Sequence, residues 1–147
     1  MASCATDPRR AALTLARVLL VDNDPASRLA LQTVLQAGGY SVDAAASAAE
    51  AIGKLEDNEY ELVLSEAVLE SPEAGLRLLA HARNLRYRPA TAVITTYPVE
   101  VEPGSALRDE PLLIAWEDLP ELLTRIAELI SKRAARRAAR ALRNPSR

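Results

Sequence analysis

The chain has 147 residues, of which 49% are hydrophobic and 26% charged, with 20 acidic against 18 basic side chains and a net charge of −2. This composition suits one domain with short appendages around a single core, and it excludes a disordered chain. No apolar run reaches the ~18 residues of a membrane span, and a single cysteine, Cys4, excludes an internal disulfide.

Arg9 and Arg10 ahead of AALTLARVLLV have a faint signal-peptide look. However, Arg17 interrupts the apolar run, and Asp22 and Asp24 close it without a small-residue cleavage site. The expectation is a cytoplasmic protein in which residues 1–15 are an N-terminal extension. RVLLVDND (17–24) is an aliphatic run ending in acids, the pattern of a fully buried parallel strand. Asp24 then supplies an N-cap and Pro25 a first helical position for a helix that stops at Gly38-Gly39. SVDAAAS (41–47) reads as a second strand, followed by a helix from Ala48 to Leu55, and ELVLSE (61–66) as a third strand. A loop with Ser71, Pro72 and Gly75 leads into the helical pattern LRLLAHARNLR. TAVITTY (91–97) and PLLIAW (111–116) are the fourth and fifth strands, and a last helix begins near Asp118. Strands alternating with helices imply an α/β, doubly wound, five-stranded parallel sheet, because parallel neighbours need crossovers that cover both faces. Between the last two strands, PVEVEPGSALRDEP holds Pro98, Pro103, Gly104 and Pro111, so the fourth helix should be short or irregular.

Open parallel sheets gather functional groups beyond the carboxyl ends of their strands. Here those ends carry Asp22, Asn23 and Asp24, then Glu66, then Thr95 and Thr96. Together with VLLVDNDPASR, GYSV, ASAAEAI and DLPELLTRI, this order resembles the receiver domain of bacterial response regulators, a flavodoxin-like fold, over roughly residues 16–130. The resemblance implies a pocket in which two acids after the first strand and an aspartate after the third hold magnesium. That aspartate accepts a phosphoryl group, and a threonine after the fourth strand and a lysine after the fifth contact it. Positioning and charge neutralisation supply most of such catalysis.

Several of the matching positions differ from that pattern. Asp22 matches the first acid, but Asn23 stands at the second and Glu66 at the phosphoacceptor. Thr95 fits the switch threonine, with Thr96 as the alternative register, Leu112 replaces a switching aromatic, and Ala115-Trp116 stands at the lysine-proline pair. Glu70 occupies a proline position, with Pro72 following later. Loss of one preorganised contact commonly costs about a hundredfold in rate. The implied function is therefore a stand-alone, degenerate receiver, not an enzyme. It would serve as a phosphorylation-independent protein-interaction module in two-component-type signalling. No cofactor is expected, no metal beyond a weak magnesium site at Asp22 and Glu66, and a homodimer counts among the partners. A phosphotransfer switch using Glu66 is one alternative, and mimicry of a phosphorylated aspartate by Glu66 stands beside it.

The second alternative lies in residues 131–147, where Lys132, Arg133, Arg136, Arg137, Arg140, Arg143 and Arg147 meet no acid, leaving the body at −9 and the tail at +7. SKRAARRAARALR has no Gly or Pro and extends the last helix, with alanines on one side and arginines around them. Its plain reading is a solvated helix end that suits the dipole; its functional reading is a contact with nucleic acid or an anionic surface, ahead of helix pairing, for which an alanine face buries little area. Asp24 reads as a cap more than a ligand, His81 as an exposed helix residue, and Trp116 as a packing residue.

Overall fold

The computed structural model describes residues 16–95, 113–115 and 119–143. Five parallel strands, β1 (Arg17–Val21), β2 (Ser41–Ala45), β3 (Leu62–Glu66), β4 (Ala90–Thr95) and β5 (Leu113–Ala115), form one sheet in the order β2-β1-β3-β4-β5. Among the described residues there are four helices: α1 (Pro25–Ala37), α2 (Ala48–Asp57), α3 (Ala74–Arg83) and α4 (Leu119–Arg143). The expected short or irregular helix between β4 and β5 lies outside the described residues, as do Thr96, Tyr97, Leu112, Trp116 and Asp118.

Both faces of the sheet are covered, which explains why the strands read as continuous apolar runs rather than alternations. Val18 and Leu20 point to one face, where Leu31 and Leu35 of α1 and Leu122 and Ile126 of α4 complete a core. Leu19 and Val21 point to the other, against Ala51 and Leu55 of α2 and Leu78 and Leu79 of α3. The helix starts follow the capping residues. Asp24 caps α1, accepting from Ser27 N–H, with Pro25 just inside. Ser47 caps α2, accepting from Glu50 N–H, and the Glu50 side chain reaches back to accept from Ala46 N–H at 3.1 Å, just ahead of the cap. Helix α1 ends at Gly38, and Gly39 takes φ 100°, the left-handed turn that glycine permits.

Two boundaries differ from expectation for local reasons. Helix α2 runs on to Asp57, where the Asn58 side chain donates to Lys54 O. Helix α3 starts at Ala74, ahead of LRLLAHARNLR, because Gly75 N–H donates to Ala67 O at 3.0 Å and its backbone lies against the end of β3. A Cβ on Gly75 would sit 1.8 Å from Glu66 O, so only glycine fits. Helix α4 passes residue 130 without a break, so the boundary between body and tail is one of charge and not of secondary structure.

Candidate functional site

Parallel register brings the carboxyl ends of the strands to one edge. Val21 pairs with Ser65, Glu66 with Ile94, and Thr95 with Ala115, so Asp22, Glu66, Thr95 and Ala115 all belong to that edge. Asp22, just past β1, is 1% exposed. Its Oδ1 accepts from Asp24 N–H at 2.9 Å, whereas Oδ2 is buried without a partner. Burial raises its carboxyl above the ordinary range; the Asp24 N–H opposes this, Asp24's charge adds to it, and Arg28 opposes it. Arg28 spends a hydrogen bond on Asp22 O at 2.8 Å.

Glu66 is the last residue of β3 and is half-buried. Burial first, and then the charge of Asp22, push its carboxyl up to about 7, against the pull of Ala67 N–H. Its backbone is held from two sides: buried Ser65 donates its Oγ to Glu66 O at 2.8 Å, and Gly75 packs on the same oxygen. The neighbouring candidates face other tasks. The Asn23 amide donates to Leu69 O at 3.2 Å, tying the β1–α1 turn to the loop after β3. Asp24 accepts from Ser27 N–H at 3.2 Å and Ser27 Oγ at 2.7 Å, and these bonds hold its carboxyl low. It is a cap, as the sequence suggests.

The residues do not fit a three-carboxylate magnesium cradle. The orphan Asp22 Oδ2 and Glu66 are two oxygen donors of the right chemistry. Asn23 and Asp24 are engaged elsewhere, and among the described residues no three His, Cys, Asp or Glu gather around a common point.

The sequence places Glu70 at a proline position but does not reveal its task. Glu70 accepts from Ala48 N–H at 2.9 Å and Ala49 N–H at 3.4 Å, so a loop residue completes the start of α2 and has its carboxyl held low by those bonds. The 22-residue separation leaves no local signal for it.

The basic tail stands away from this edge. Lys132, Arg136, Arg137 and Arg143 are exposed and Arg140 is partly so. Arg133 corrects the expectation of a solvated contact: it is 6% exposed, and its Nε and Nη2 donate to Arg88 O at 3.0 Å and Tyr87 O at 2.8 Å. A signal was available. Arg133 falls seven residues after Ile126 and eleven after Leu122, in line with the core-facing stripe of the helix.

Over residues 18–108 the chain matches the family model described as response regulator receiver domain. The chain belongs to that family. A CheY-like receiver domain protein from Methanospirillum hungatei is 28% identical and superposes with a TM-score of 0.73, covering 84% of this chain and 99% of that one. The response regulator TrrA of Thermotoga maritima, solved in complex with Mg(2+)-BeF, shares the fold at 23% identity and a TM-score of 0.68, covering 78% of this receiver and 99% of that chain. A gliding motility regulatory protein of Myxococcus xanthus is 37% identical over 78 residues, 53% of this receiver but 10% of that protein's length. The receiver's carboxyl edge thus holds two acids at Asp22 and Glu66, with Ala115 across from Thr95.

Proposed function

We propose that this receiver works without phosphorylation, as a non-enzymatic protein-interaction module in two-component-type signalling. The observation that carries this reading is the pairing of Thr95 with Ala115 at the end of β5, at the edge that also holds Asp22 and Glu66. The position opposite the switch threonine bears a methyl group where phosphoryl chemistry calls for a cation. Two further features agree. Asn23 is spent on Leu69 O, and Glu66 combines a longer reach with a carboxyl that is half protonated near pH 7. That same carboxyl is a poor stand-in for a phosphoryl group, which carries nearly two charges and three acceptor oxygens. The edge therefore lacks the groups through which phosphorylation would switch it, and the surface around it is constant in that respect. None of the described helices is long and apolar enough to cross a membrane.

The test is phosphorylation by acetyl phosphate in magnesium, read by intact mass spectrometry. The native chain should gain no phosphoryl group, while the triple variant Asn23→Asp, Glu66→Asp, Ala115→Lys should gain one at residue 66. Saturable, magnesium-dependent modification of the native chain at Glu66 would overturn the proposal.

A further inference from the structure

At the opposite edge of the sheet, the loop between α3 and β4 meets the second half of α4. Arg133 makes the joint, through its bonds to Tyr87 O and Arg88 O. The loop is braced on its other side by Tyr87, whose hydroxyl donates to Leu55 O at 3.2 Å or Asn58 O at 3.1 Å, beside the C-terminal end of α2. Between the braced loop and the helix lies a cleft of about 340 Å³ lined by Arg86, Tyr87, Arg88, Arg137 and Arg140. Four of these five residues are arginines and none is an acid. We infer that this cleft binds phosphate groups of a nucleic-acid backbone, held by guanidinium groups from two separate parts of the chain.

The chemistry of the lining selects the ligand. Guanidinium forks match phosphate oxygens in pairs, and four like charges around one cleft favour an anion between them. Arg133, beside the cleft, is held below its ordinary range first by burial and then by the charge of Arg137, with Arg140 adding to it and Glu61 and Glu59 opposing. The adjoining cleft shares Arg86 and Tyr87 but is walled by Glu56, Asp57 and Glu59, which closes that direction to a polyanion. The open direction runs along α4, where Arg136 and Arg143 are exposed and continue the arginine side at helical spacing. Positive charge that continues past the cleft suits a polymer over a single phosphate. Tyr87, the one aromatic in the lining, has its hydroxyl committed to the protein backbone, so the polar groups left to meet a ligand are the guanidiniums, which suit phosphates.

The experiment uses the full chain and a fluorescein-labelled duplex of ~20 base pairs and mixed sequence, followed by anisotropy between ~50 and ~200 mM KCl. Four phosphate contacts should give a slope of log affinity against log salt of about −3.6. The decisive variant is Arg86→Gln with Arg88→Asn, which leaves α4 untouched. Asn suits residue 88 because its φ is 41°, a left-handed conformation that Asn tolerates, and the carbonyls that receive Arg133 are kept. With an unchanged melting temperature, that variant should bind at least about tenfold more weakly and lose about 2 from the slope. The inference is overturned if the native chain shows no salt-dependent binding, or if the variant binds like the native chain, which would leave the tail alone as the contact. Equal affinity for polyglutamate of matched charge would overturn it too. None of these outcomes depends on the state of Glu66, so they are separable from the phosphorylation test.

Discussion

Glu66 carries a charge that the fold resists. Its carboxyl stands at about 7 when folded, against 4.5 as an ordinary side chain, because burial and then Asp22 disfavour ionisation. A raised folded value means that the native state holds the proton more tightly than the unfolded chain. The stability linked to this group is present in full below pH ~4.5 and is lost as pH rises through ~7. A tenfold change in proton affinity is worth about 1.4 kcal/mol, and solvent screens part of it at a half-buried group, so the loss at pH 8 is on the order of 2 kcal/mol. Glu66→Gln should therefore stabilise the protein by that order at pH 8 and by less than about 1 kcal/mol at pH 5, as read from urea melts at the two pH values. A variant less stable than the native chain at pH 8 would mean that the ionised carboxylate has a cationic partner. Asp22, also raised by burial, works in the same direction.

Two contacts between elements hold the architecture in a way that substitutions can measure. Gly75 brings the first turn of α3 against Glu66 O, and a methyl group 1.8 Å from that oxygen would force the backbone apart. Gly75→Ala should cost about 2 kcal/mol or more in a chemical melt, the range of overpacking in a tight site. At the other edge, Arg133 joins α4 to the loop before β4 by two hydrogen bonds from a charged donor. Arg133→Met should cost about 1.5 to 3 kcal/mol, and ending the chain after Ile130 should lower its melting temperature for the same reason. These contacts also mark the limits of reading elements from sequence. Asp24, Pro25, Gly38 and Gly39 bracket α1 in the sequence because caps and turns act within a few residues. Strand-helix alternation implies a parallel sheet but not the order β2-β1-β3-β4-β5, which depends on contacts between distant segments. The Glu70 cap on α2 and the Arg133 joint span 22 and 45 residues, and their partners are backbone groups, which leave no trace in side-chain pattern. Asp22 and Glu66 were legible as one site because parallel strands must end together, whereas their titration depends on burial that only the folded chain supplies.

Charge is spread unevenly along the chain. Its net charge is −2, yet residues 131–147 carry seven basic and no acidic side chains. Arg86 and Arg88 line one cleft with Arg137 and Arg140 of that basic stretch, next to a second cleft that carries Glu56, Asp57 and Glu59. At pH 7.5 and low salt the protein should be retained on both anion- and cation-exchange resins, despite a sequence pI of about 5.5. The variant Arg137→Glu, Arg140→Glu should pass through the cation exchanger and elute later from the anion exchanger; unchanged retention would place the positive field elsewhere. The unbroken course of α4 has a consequence for how such a chain can change. Leu122 and Ile126 are seated on the sheet, and Arg133 on the loop, by one continuous helix. Each residue turns a helix by about 100° and advances it about 1.5 Å. Exchange of side chains between Ile126 and Arg133 leaves that indexing intact, but insertion of one residue there swings Arg133, Arg137 and Arg140 about a quarter turn away from the loop. Spacing in this stretch is thus constrained more tightly than composition, and the helix acts as an indexed shaft whose length in residues decides where the arginines point.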